Sequence, residues 1–366
     1  MKRLLLLSLW IAFSQVFQAQ NYHLLVGTYT NTGKSQGIYS YDLNKRTGVV
    51  TQKSVATGFS NPSFLCVTPD KKFVYSVNES AEGSAANAFS LHAGTGKLTF
   101  LNRSMTEGEG PCFITATTKH VFTANYGGGS LSVFGRNADG SLTELKQKIQ
   151  HNGLSVNLDR RTEPHVHQVL VSKDNRFVLA NDLGTDNVTV YTYNPNAVND
   201  ILTPWDTLAV KPGSGPRHIA FSRNGKLAYL VQELDGTVSV LELQNGKLKL
   251  LQEMTLVTNS DQKPRAAADI HLSPDGRFLY ATNRAPANNI TCFYVLQDGK
   301  LENLFQVSTR GDGPRNFAIS PDGKFLLVAH QFSNNIVIFK RAIKTGLLTD
   351  TGERIEVGAP VCLVFY

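Results

Sequence analysis

The sequence predicts an all-β chain: a seven-bladed β-propeller with four antiparallel strands per blade, closed by a C-terminal strand that completes blade one. Three observations predict it. A unit of about 50 residues recurs seven times, each unit alternates Val-, Leu-, Phe- and Tyr-rich runs with Gly, Pro, Asn and Asp turns, and the two chain ends supply complementary pieces of one unit.

The leader comes first in order. Lys2 and Arg3 precede an apolar run from Leu4 to Phe13, and a more polar stretch ends near Gln20, the pattern of a secretory signal peptide over residues 1–20. Residues 21–366 then form a single propeller domain. The apolar run is shorter than the roughly 20 residues a spanning helix needs, so no membrane span is expected in the mature chain, and the expected location is exported, periplasmic or secreted.

The repeat is plainest where "GPRHIAFSRNGKLAYLVQE" (215–233) returns as "GPRNFAISPDGKFLLVAHQ" (313–331). Aligned on the second apolar run, the units place Thr28, Asn78, Asn125, Asp182, Gln232, Asn283 and His330 in register, at intervals of 50, 47, 57, 50, 51 and 47. A Gly-Pro turn opens the first strand and a Pro-Asp-Gly turn leads to the second. A third run such as "NNIVIF" and a polar Gly-Lys-Leu segment supply the outer pair. The alternating runs lack the 3.6-residue spacing of helical repeats. The first unit begins at its second strand, "HLLVGTY", and "GAPVCLVFY" (358–366) is a first strand with nothing after it. Pairing the two closes the ring and removes an exposed sheet edge.

Composition narrows the function. Removing Lys2 and Arg3 lowers the formal charge from +7 to +5, and the remaining basic residues are scattered rather than clustered with aromatics, so no nucleic-acid partner is expected. Cys66, Cys112, Cys292 and Cys362 lie in apolar runs with no zinc spacing and are expected as buried thiols. Neither a metal nor a cofactor is expected, and the mature chain is expected to be monomeric.

In a propeller the start of each first strand and the end of each second strand share one face of the ring. Reading those places collects Ser63, Cys112, His167, Arg217, Ala268, Arg315 and Val361, followed by Gln168, His218, Asp269 and Asn316, and then Tyr29, Glu79, Tyr126, Leu183, Glu233, Arg284 and Gln331. One mouth therefore gathers His, Arg, Glu and Asp. That combination suits hydrolysis of an acidic ester or lactone: a carboxylate or imidazole deprotonates water, and guanidinium groups hold an anionic substrate and the developing oxyanion. Plainer readings stand beside this one. Arg217 and Arg284 are also placed to form inter-blade salt bridges with Glu233 and Asp269, "NYGGG" (125–129) reads as a tight strand-end turn, and His165 and His167 alternate along one strand. Gly-x-Ser-x-Gly is absent, so a serine hydrolase has no support.

Together "HLLVGTYTN", "NPSFLCVTPDKKFVYSVNE", "ANYGGGSLSVF", "EPHVHQV", "GPRHIAFSRNGKLAYLVQE" and "SPDGRFLYATNR" resemble the bacterial lactonase family of seven-bladed 6-phosphogluconolactonase type, over about residues 22–366. The resemblance implies metal-free hydrolysis of 6-phospho-D-glucono-1,5-lactone. A fungal relative in that family, carboxy-cis,cis-muconate lactonising enzyme, implies a catalytic His, two Arg and a Glu. These fall on His167, Arg217, Arg284 and Glu233, with Glu233 or His167 as general base and the arginines as clamps. Substrate contacts are expected from His165, His218, Asp269, Arg315, Asn316, Glu79, Asn125, Tyr126 and Arg161. Since a phosphorylated lactone is a cytoplasmic metabolite, the leader favours an unphosphorylated sugar lactone as an alternative; Arg160, Arg161 and Arg315 would then bind something other than phosphate. A non-catalytic propeller that binds a glycan or protein is the rival from another class.

Overall fold

Five inner hairpins turn on the same hydrogen bonds, and these punctuate the repeat. The hydroxyl of Thr68, Ser172, Ser222, Ser273 or Ser320 donates at 2.5–2.8 Å to an Asp or Asn oxygen two residues on. That oxygen accepts the N–H of the fourth residue on, and the hydroxyl oxygen accepts the N–H of the fifth, which opens the next strand. Short polar side chains thus satisfy a turn that would otherwise leave backbone groups unpaired.

A computed structural model describes residues 21–156, 163–257 and 266–366. Among them 28 strands, numbered β1 to β28 in chain order, form seven antiparallel sheets of four. The expected leader, Arg160 and Arg161 lie outside the described residues. Each sheet is one blade: strands from 65 to 105, 111 to 150, 166 to 209, 216 to 255, 267 to 308 and 314 to 356 make blades two to seven.

The seven residues aligned from sequence each end a strand. Thr28 closes β1 (Asn21–Thr28), Gln232 closes β17 (Leu227–Gln232) and Asn283 closes β21 (Phe278–Asn283). Asn78, Asn125, Asp182 and His330 close the equivalents in the other blades. Blade one is completed by β28 (Pro360–Phe365) pairing with β1, and Tyr366 N–H donates to His23 O beyond the ladder.

Burial follows from the stacking. Seven apolar clusters lie between neighbouring blades, one at each interface; the cluster of blades seven and one holds Leu24, Val26, Leu327, Ile336 and Leu363. No blade buries both its faces alone, so each inner sheet depends on its neighbours and the ring is the cooperative unit. Among the described residues no helix is long and apolar enough to cross a membrane.

Candidate active site

The first strands do not enter the ring straight. In β8 (Pro111–Ala116), β12 (Val166–Val171), β16 (Pro216–Phe221) and β24 (Pro314–Ile319) the register skips one residue, which leaves Cys112, His167, Arg217 and Arg315 without a partner across the ladder. Val361 in β28 is skipped likewise, and β20 (Ala267–Leu272) skips both Ala268 and Asp269. An unmatched residue re-aims its side chain. Cys112, His167, Arg217, Arg315 and Val361, with Ser63 and Glu79, line a cavity at one mouth of the ring. Sequence position had gathered these residues, and the bulge is the backbone device that turns them inward.

Blades five and six supply an ion triad. Glu233 Oε2 accepts Arg217 Nε at 2.9 Å and Arg284 Nη2 at 3.0 Å. Arg217 is 1% exposed and Glu233 4%, and Arg217 Nη1 also donates to Ala268 O. Arg284 sits at the rim and donates its Nε–H to Ala266 O. Burial, reinforced by the charge of Arg284, pulls the Arg217 guanidinium down to about 10.

Blades one, two and seven supply a second cluster. Glu79 accepts Tyr29 OH at 3.1 Å and the Ser63 hydroxyl, while the Arg315 guanidinium lies 5.5 Å from the centre of the Tyr29 ring. Burial raises the Glu79 carboxyl above its ordinary value even against the Arg315 charge. Tyr29 and Ser63 were not among the expected contacts. Their ring positions are legible, but Tyr and Ser carry no motif that would mark them as partners of a carboxylate.

Blades three and four complete the wall. His165 stacks on Tyr126 at 4.4 Å and Tyr126 meets the His167 ring edge-on at 5.5 Å. Burial, then the Arg217 charge, hold the His167 imidazole well below its usual range, so it is neutral at pH 7. Beneath lie His218, Asp269 and Asn316, all at most 4% exposed and joined to one another: His218 Nδ1 to Asp269 Oδ1 at 2.9 Å, and Asn316 Nδ2 to Asp269 Oδ2 at 2.6 Å.

Of the expected contacts, His165, Tyr126, Glu79, Arg315, His218 and Asn316 converge on this mouth. Asn125 does not. It is wholly buried inside blade three, where its amide donates to Ser130 Oγ and Ser132 Oγ, because the last residue of a second strand points into its own blade. Asp269 was expected to touch substrate, but both its oxygens are occupied by protein groups, among them His271 Nε2 at 2.9 Å. Arg161 lies outside the described residues. Among those described, no group of three His, Cys, Asp or Glu side chains is placed to hold a metal ion.

A family model described as "Lactonase, 7-bladed beta-propeller" matches residues 23–365. The chain belongs to that lactonase family. It is 36% identical to a 6-phosphogluconolactonase of Formosa agariphila over 94% of this chain and 99% of the relative. A solved structure of a periplasmic gluconolactonase from Pseudomonas aeruginosa superposes with a TM-score of 0.91 at 36% identity, covering 94% of this chain and 99% of that one. A Bacteroides fragilis structure, assigned only provisionally as a 6-phosphogluconolactonase, gives 0.91 at 41% identity over 95% and 98%. This membership covers the whole ring, so the clustered rim belongs to a lactonase scaffold. The family match does not touch the roles of individual residues, which rest on the geometry above.

Proposed function

We propose that the chain hydrolyses a sugar 1,5-lactone to the open hydroxy acid, in the manner of 6-phosphogluconolactonase, with 6-phospho-D-glucono-1,5-lactone as the type substrate. The observation that carries this reading is the Arg217–Glu233–Arg284 triad, a buried pair with Arg284 at the rim, at the mouth that also holds neutral His167. Hydrolysis of a lactone puts negative charge on the carbonyl oxygen, and fixed guanidinium groups in a site of low dielectric stabilise that charge without reorganising. Glu233 fixes the two arginines. Arg315, backed by Tyr29 and Glu79, is placed to hold an anionic or hydroxyl-rich end of the substrate.

The test is a purified-protein assay on 6-phosphogluconolactone and on gluconolactone, with the fast uncatalysed hydrolysis subtracted. Equal rates for wild type and a Glu233→Gln, Arg284→Ala double variant would sink the reading. A loss of about 10²-fold or more in kcat is expected, since one oxyanion donor alone is worth roughly that.

A second reading, an unphosphorylated sugar lactone met outside the cytoplasm, is favoured by the leader-like sequence of residues 1–20 and by the periplasmic gluconolactonase among the relatives. The ratio of kcat/KM for the phosphorylated and plain lactones separates the two, and cell fractionation tests export.

A further inference from the structure

The polar residues that directly follow His167, Arg217, Ala268, Arg315 and Val361 in the chain follow a rule. Gln168, Asp269, Asn316 and Cys362 each accept the backbone N–H of the next blade's first strand, at Ile219, Phe317, Leu363 and Leu65, over 2.7–3.4 Å. They fasten one blade to the next. His218 holds the same position and breaks the rule: its Nδ1 meets a side chain, Asp269, and its Nε2 is buried with no hydrogen-bond partner among the described residues.

The bond at Nδ1 fixes the tautomer. Burial would raise the Asp269 carboxyl, but His271 and His218 with their hydrogen bonds outweigh it and drive the carboxyl far below the usual range. An ionised carboxylate only accepts, so Nδ1 of His218 carries the proton and Nε2 presents a lone pair. Burial and the Arg217 charge hold the ring down to about 4, so it stays neutral at pH 7. The ring of His167 lies 5.1 Å away, and among the described residues its Nδ1 is likewise buried without a partner. Both imidazoles line the cavity that Arg217 also lines, which has space for about one water molecule. Structural fastening explains the other members of this ring and leaves the free nitrogen of His218 unexplained.

We propose that His218, oriented by Asp269, is the base that activates the hydrolytic water. The inference rests on the lactonase reading. Nε2 takes one proton from water as its oxygen bonds to the lactone carbonyl carbon; the tetrahedral intermediate collapses, the bond from carbonyl carbon to ring oxygen breaks, and the departing ring oxygen takes that proton back from Nε2. Asp269 touches no reacting atom and is a positioning residue. Glu233 is a weaker candidate because its Oε2 already serves two guanidinium groups. Among the described residues no carboxylate is bonded to the His167 ring, so nothing sets its tautomer in the same way.

The experiment combines kinetics with a tautomer measurement. His218→Gln is expected to lose about 10³-fold or more in kcat, and Asp269→Asn a similar amount because an amide at 269 reverses the tautomer. Both should bind gluconate as wild type does and melt cooperatively. A folded His218→Gln enzyme that keeps kcat within about tenfold of wild type, or loses only KM, overturns the assignment. In wild type, ¹⁵N-imidazole spectra should show His218 neutral with its proton on Nδ1 at pH 7. A proton on Nε2 overturns the proposal even where the variants fail to fold. Wild-type protein inactive on both lactones removes the lactonase reading and this base with it, whereas active wild type with an indifferent His218 removes this assignment alone.

Discussion

Replacing Glu233 with Gln keeps the shape of the side chain and removes the charge that two guanidinium groups share. Arg217 is 1% exposed and Glu233 4%, so water cannot compensate. Contacts of 2.9 and 3.0 Å at an effective dielectric near 20 correspond to about 5 to 6 kcal/mol of attraction each, before desolvation is subtracted. Removing one partner of a buried pair therefore costs about 3 to 5 kcal/mol, because a charge is left behind without its counter-ion. At roughly 2 cal/mol/K per residue, a chain of 366 residues unfolds with an entropy near 0.7 kcal/mol/K, so the melting temperature should fall by about 4 to 7 °C. Circular dichroism on wild type, Glu233→Gln and the apolar pair Arg217→Met with Glu233→Leu measures it. The pair should recover part of the loss, since a packed apolar replacement leaves no orphaned charge at these two positions. A Glu233→Gln protein melting within about 1 °C of wild type would refute the picture of Glu233 as a buried strut between two cations.

Two further outcomes follow from burial. His218 and His330 are both held down to about 4, mainly by desolvation, so below pH 6.5 the unfolded chain takes protons that the fold refuses. Stability should be complete above that pH and fall towards pH 4 by up to about 3 kcal/mol per histidine; in His330→Asn the acid slope of melting temperature against pH should be shallower, and an unchanged slope counts against the mechanism. The four cysteines are free, three of them buried as expected and Cys66 half-buried, and desolvation raises the thiols of Cys66 to about 11 and Cys292 to about 12. Native protein at pH 7 should resist iodoacetamide and react fully in denaturant, and rapid native labelling would contradict this.

The repeat was legible because its marks are local. A hydroxyl two residues before an Asp or Asn makes the hairpin by itself, and the strand that follows ends where the alignment said it would, at Gln232 or Asn283. Which side chains share one mouth of the ring was legible too, since strand direction alone decides it. The pairings were not. Glu79 takes its hydroxyl partners from Tyr29 in blade one and Ser63 in its own blade, and His218 finds Asp269 in the next blade; each bond depends on the angle through which one sheet is turned against another. Asn125 shows the reverse failure, where a polar residue beside the mouth in sequence points into the blade instead. The repeat sets it in register with Asn78, one residue before Glu79, and a single residue of offset along a strand exchanges the two directions.

The strand that completes the first sheet comes from more than 300 residues further along the chain. Until Pro360–Phe365 pairs with it, β1 has one bare edge and Tyr29, which holds Glu79, lacks the backbone carbonyl of Ala359 that anchors its own N–H. Blades two to seven each draw their four strands from one continuous stretch, yet the mouth stays unlocked until β28 is in place. Closure of the ring therefore waits on one long-range pairing, and a chain deprived of β28 would carry the same rim side chains without the circle that brings them face to face.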